Sequence, residues 1–137
     1  MKHLSISMFA FMALLFVSCN TEAQQSKQPV AAKKATTIEV IQFHSEYRCM
    51  TCHKIEDLTK ATLTSSFSTV PFRLVNVNDK KNAKMAEQFQ AAGTALFLYN
   101  PATGNKKDLT EFAFMKAGNE KVFQAELKKY IEDFIKG

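Results

Sequence analysis

IEVIQFHSEYRCMTCHKIEDLTKATLT, residues 38–64, changes its rhythm twice. Residues 38–43 are β-branched and apolar with little interruption, the pattern of a strand buried on both faces. Residues 44–48 are polar and aromatic and read as the loop that follows. From Cys49 to about residue 64 the spacing becomes helical, because Cys52, Ile55, Glu56, Leu58, Thr59 and Leu63 recur at intervals of three and four on one side. A Cys-x-x-Cys pair, Cys49 and Cys52, therefore stands where the strand hands over to the helix. Its spacing brings both sulfurs to one helix face, within disulfide reach.

Toward the C-terminus, residues 72–77 form a second candidate strand and residues 82–92 a second helix burying Met85 and Phe89. Asp79 or Asn82 is the candidate cap of that helix, and Gly93 its stop. Residues 95–99 are a third strand. The turn signal Asn100-Pro101-Ala102-Thr103-Gly104-Asn105 leads to residues 108–114, where Leu109, Glu111 and Ala113 alternate with Thr110, Phe112 and Phe114. That alternation predicts a fourth strand paired with the third as a hairpin. A last helix, residues 119–136, carries Val122, Phe123, Leu127, Tyr130, Ile131 and Phe134 on its apolar face.

Toward the N-terminus, Lys2 and His3 precede an apolar run of twelve residues from Ile6 to Val17. The run is shorter than the roughly 20 residues a membrane-spanning helix needs, so residues 1–18 read as a signal peptide. Leu15-Phe16-Val17-Ser18-Cys19 resembles a bacterial lipobox, which makes Cys19 the candidate lipidation site; cleavage near Ala23 is the alternative. Residues 19–37 are small and polar, include Pro29, and read as a flexible tether. The expectation is an exported protein, lipid-anchored to a bacterial membrane and periplasmic, with one domain at residues 38–137. A chain of 137 residues has no room for two catalytic domains. The formal charge of +5 comes from scattered lysine doublets, not from a basic stripe interleaved with aromatics, so no nucleic-acid partner is expected. Twelve Phe and no Trp point to a Phe-rich core.

The predicted order βαβαββα, with two right-handed crossovers and a terminal hairpin, is an α/β fold: a mixed four-stranded sheet flanked by helices. A dithiol at the first strand-to-helix junction makes the expectation thioredoxin-like. At that position the helix N-terminus favours a Cys49 thiolate, and Arg48 adds a neighbouring positive charge. Attack by Cys49 on a substrate disulfide, followed by resolution through Cys52, is the predicted chemistry, with His44 and His53 as candidate tuning residues. Protein or small-molecule thiols and disulfides are the expected partners, and no cofactor or resident metal is expected. Other readings of the pair stay open. Two thiols beside His44 and His53 could chelate a soft metal or metalloid ion, or complete a zinc site. Cys49-Met50-Thr51-Cys52-His53 satisfies the c-type haem attachment pattern. A purely structural disulfide is the fourth reading.

Phe43-His44, Arg48-Cys49-Met50-Thr51-Cys52, Ile55-Glu56, Val75-Asn76-Val77-Asn78 and Asn82 together resemble a bacterial thioredoxin-like family, the ArsF-type nitrophenyl compound nitroreductase subunits of arsenic-resistance gene clusters. The resemblance covers residues 38–100 and implies the fold and the redox pair more than a substrate. Against ordinary thioredoxins two positions differ. Gly93-Thr94-Ala95-Leu96 resembles the segment that carries a cis-proline, with Ala95 in the proline's place. This makes Thr94 and Ala95 the expected substrate-docking residues, joined by a trans bond. The buried acid beneath the dithiol corresponds to Gln42, which cannot ionise, with Glu46 and Glu56 as partial substitutes. Many thioredoxins also place Trp before the first cysteine, and Tyr47 is the candidate for that role.

Overall fold

A computed structural model describes residues 38–137; the expected signal peptide, Cys19 and the tether lie outside the described residues. Four strands, β1 (Glu39–His44), β2 (Phe72–Asn76), β3 (Ala95–Tyr99) and β4 (Lys106–Asp108), form one mixed sheet in the order β2-β1-β3-β4. Helices α1 (Met50–Ser66), α2 (Ala83–Phe89), α3 (Thr110–Lys116) and α4 (Glu120–Lys136) flank it. β1 pairs with β2 in parallel, while β1 with β3 and β3 with β4 are antiparallel.

Side chains alternate across β1, so one strand serves two cores. Val40 joins Leu96 and Leu98 beneath α1, α3 and α4, where Ile55, Leu58, Phe112, Phe123, Leu127 and Ile131 are buried. Ile41 and Phe43 point the other way and pack with Val75, Phe89 of α2 and Phe97. The Phe43, Phe89 and Phe97 rings lie 5.1 to 5.9 Å apart in tilted or edge-on contacts. On α1 the predicted inner face is the buried one: Cys52, Ile55, Glu56, Leu58, Thr59 and Leu63, joined by Thr62.

Only one of the two expected crossovers exists. β1-α1-β2 is a parallel unit, but β3 runs against β1, so the connection through α2 does not return the chain along the sheet. β2 ends at Asn76 opposite His44 and β3 begins at Ala95 opposite Phe43, at the same end of β1. A seven-residue helix closes that short gap. Its termini also differ from expectation. Asp79 caps a separate 3-10 turn at Lys80–Asn82 by accepting from the Lys81 amide, and Asn82 makes no side-chain cap bond. α2 stops at Gln90, which itself adopts the left-handed conformation at φ 54° and satisfies the last carbonyls, so Gly93 is not the stop.

The fourth strand does not lie at the expected residues 108–114: β4 spans Lys106–Asp108 and shares only Asp108 with them, while residues 110–116 are helical. Asp108 accepts a 2.8 Å hydrogen bond from the Thr110 amide and starts the helix. The buried residues Leu109, Phe112, Ala113 and Ala117 are spaced three, one and four apart, a helical stripe that a two-residue alternation can mimic over one turn. In a strand Phe112 and Phe114 would share a face. In α3 they do not: Phe112 lies against Phe123 and Tyr130, while Phe114 is 43% exposed.

That difference is measurable by urea denaturation. Phe112→Ala should cost about 3 kcal/mol or more, whereas Phe114→Ala should stay within about 0.5 kcal/mol of the parent. Equal losses would return this segment to a strand.

Candidate functional site

The end of β1, the first turn of α1 and the start of β3 meet because β3 begins opposite Phe43. Cys49 is the N-cap of α1, with extended backbone (φ −80°, ψ 167°), and its thiol is exposed. Cys52, one turn in, is 4% exposed, since it belongs to the inner face of the helix. The two free sulfurs are 3.2 Å apart. On its other side the Cys52 sulfur lies 2.8 Å from the Thr94 hydroxyl, so Thr94 reaches the dithiol from a position 42 residues away. Ala95, half-buried, begins β3, and the Thr94–Ala95 bond is trans, as are all peptide bonds among the described residues.

The thiol of Cys49 titrates below its ordinary value. The backbone amide of Cys52 is the main cause and the Cys52 thiol the second; slight desolvation opposes them, and the amides of Thr51 and Cys49 help further. The first turn holds no acidic side chain to compete for these amides. An N-cap position supplies donors to whatever oxygen or sulfur occupies it, and a thiolate accepts more strongly than a thiol.

Arg48 does not serve Cys49 in the way its position suggested. Its guanidinium folds back along α1, where Nη2 donates to the Cys52 carbonyl at 3.3 Å and pairs with Glu56 Oε2 at 2.6 Å. The expected charge on the Cys49 thiolate is spent instead on a carboxylate two helical turns away. Glu56, only 8% exposed, also pairs with Lys60 through its other oxygen. Burial by itself would raise the Glu56 pKa. Hydrogen bonds and charges from Lys60 and Arg48 outweigh burial and hold it below 4.5, so it is a carboxylate at neutral pH. Glu56 stands on the inner face of α1 as its spacing predicts; its pairing with Arg48 and Lys60 is what the sequence reading missed. Its place on the apolar stripe, four residues after Cys52, was the available signal, because a charged residue on a buried face needs a partner.

Gln42 is completely buried and faces α1, where its Nε2 donates to the Cys52 carbonyl at 3.0 Å. Its Oε1 and the Nε of Arg48 are buried without hydrogen-bond partners. Neither histidine joins the sulfurs by a hydrogen bond. His44, at the end of β1, donates from Nδ1 to the Ser45 carbonyl at 2.8 Å, and His53 is exposed on α1. Glu46 is an exposed loop residue whose amide donates to Asn78 Oδ1. Tyr47 and Met50, 90% and 87% exposed, flank Cys49 as open apolar surface. Among the described residues no three His, Cys, Asp or Glu side chains converge as a metal cage would require. No described helix is long and apolar enough to cross a membrane. No protein-family model matches the chain, and no curated protein is significantly similar to it.

Two outcomes follow for the Arg48–Glu56 pair. Arg48→Met should destabilise the protein by about 1–3 kcal/mol, since it strips one partner from a nearly buried carboxylate, and Arg48→Met with Glu56→Gln should recover part of that loss. A full loss in the double variant would mean that packing of the arginine stem, not the ion pair, matters. Because the folded pKa of Glu56 is depressed, its contribution is complete above the unfolded value near 4.5 and disappears as pH falls through the folded value. Glu56→Gln should therefore flatten the decline of stability below pH 4.5, measured by urea melts across pH, and an unchanged acid limb would remove Glu56 from that role.

Proposed function

We propose that this chain is an exported, membrane-tethered thiol–disulfide oxidoreductase or redox carrier with a thioredoxin-like domain, its chemistry carried by Cys49 and Cys52. The observation that supports it best is the asymmetry of the pair. One sulfur is exposed at a helix N-terminus with its pKa held down, and the other is 3.2 Å away and buried. A nucleophile needs access and thiolate character; a resolving thiol needs only to reach the nucleophile. The sheet order β2-β1-β3-β4, with one parallel and two antiparallel pairings, agrees with a thioredoxin-like arrangement. Export and lipid anchoring rest on residues 1–37 of the sequence, and the resemblance to ArsF-type subunits adds no substrate.

The mechanism has two displacements. The Cys49 thiolate attacks a substrate disulfide, forming a mixed disulfide and expelling one substrate thiolate. Cys52 then attacks Cys49, closing the intramolecular disulfide as the second substrate thiol leaves. Run backward, the same steps oxidise a dithiol. Haem attachment fits less well, because it would require thioether bonds to both cysteines and Cys52 is enclosed. A soft-ion chelate would have two sulfurs and no third ligand from the described residues.

Equilibration in glutathione buffers, read by acid trapping and alkylation, should show a reversible Cys49–Cys52 disulfide. In exchange with glutathione disulfide, Cys52→Ser should accumulate a mixed disulfide on Cys49, while Cys49→Ser should trap none. A protein whose cysteines never interconvert, or whose two variants trap equally, would not be an exchange catalyst.

A further inference from the structure

Cys52 can attack the mixed disulfide only after it gives up its proton, and the site holds few groups that take one. Cys49 is unavailable at that moment because its sulfur is bonded to substrate. Gln42 beneath the pair cannot ionise, and its amide nitrogen is committed to the Cys52 carbonyl. The carboxylate oxygens of Glu56 are occupied by Arg48 and Lys60. The remaining polar side-chain contact of the Cys52 sulfur among the described residues is the Thr94 hydroxyl at 2.8 Å. A hydroxyl accepts and donates at the same time, and Thr94, unlike Cys52, is only half-buried.

Resting on the thiol–disulfide reading above, we propose that Thr94 is a catalytic residue of the resolving step: its hydroxyl relays the Cys52 proton to solvent. As the Cys52 S–H proton passes to Thr94 Oγ1, the proton already on that oxygen passes to water, so the hydroxyl is regenerated. The electron pair left on the Cys52 sulfur forms the bond to Cys49. The bond between Cys49 and the substrate sulfur breaks, and its pair leaves on that sulfur, which takes a proton from solvent. The two protein thiols are oxidised by two electrons and the substrate disulfide is reduced by two. Attack by Cys49 on the substrate does not pass through Thr94.

The test separates the two steps. Reduced protein is mixed rapidly with glutathione disulfide, quenched in acid at intervals, and the glutathionylated and intramolecular disulfide forms are counted by mass spectrometry. Thr94→Val should slow resolution of the mixed disulfide by roughly a hundredfold or more relative to its own rate of mixed-disulfide formation, so that the glutathionylated form accumulates. Thr94→Ser, which keeps the hydroxyl, should restore resolution. Thr94→Ala repeats the comparison if the valine variant does not fold. Resolution at the parent rate in the hydroxyl-free variants would overturn the relay, as would a serine variant as slow as valine. Slowing of both steps by the same factor would overturn the relay and reassign Thr94 to substrate docking or packing. A parent protein that forms no mixed disulfide at all would remove the thiol–disulfide reading itself, and the relay with it.

Discussion

The carbonyl oxygen of Cys52 is the point to which the site is anchored. Beyond its place in the helix it accepts from Gln42 of β1 and from Arg48 of the preceding loop, at 3.0 and 3.3 Å. Strand, loop and helix are thereby joined at one atom near the sulfur that must be placed most accurately. Hydrogen bonds in a buried setting are stronger and more directional than in water, so the first turn of α1 has little freedom to rotate. Its orientation turns Cys52 inward under Thr94 and leaves Cys49 outward at the cap.

Charge at the site is arranged around this anchor. A guanidinium offers five donors in a rigid plane and can serve a carbonyl and a carboxylate together. Arg48 does so, at the expense of leaving its Nε buried without a partner. Since Glu56 neutralises Arg48, and Lys60 lies at the far oxygen of Glu56, stabilisation of the Cys49 thiolate falls mainly to backbone amides. Such donors are fixed in direction and do not titrate, so the nucleophile depends on helix geometry more than on neighbouring ionisable groups.

Around the anchor the sheet acts as a rigid platform. β1 is central and buried on both faces, between the core beneath α1, α3 and α4 and the Phe43, Phe89 and Phe97 cluster beneath α2. Thr94 meets Cys52 because β2 ends and β3 starts at the end of β1 from which α1 departs. The antiparallel course of β3 is therefore a functional feature as well as a topological one.

Several features were legible in residue order because they depend on local periodicity and spacing. Strand β1, the long helices α1 and α4, the cysteine pair on one helix face, and the inner stripe containing Cys52, Ile55 and Leu58 all belong to this class. Asn119, expected as the first residue of α4, instead caps it by accepting from the Val122 amide. Over short stretches periodicity was ambiguous: Leu109 to Phe114 satisfies a period of two nearly as well as one of 3.6, and only burial against α4 resolves it as helix. Direction of β3, the stop at Gln90, and the partner of Arg48 could not be read in the same way. Each depends on which groups a folded chain brings within a few ångströms. Arg48 lies next to Cys49 in sequence, yet its guanidinium is held by Glu56 because a buried carboxylate must be paired, whereas an exposed thiolate is solvated by water. The sequence by itself determined that two thiols would share one turn of helix, with Cys52 on its inner stripe and Cys49 at its end; tertiary structure decided that a hydroxyl from residue 94 lies against the buried sulfur and that Arg48 turns away from the exposed one.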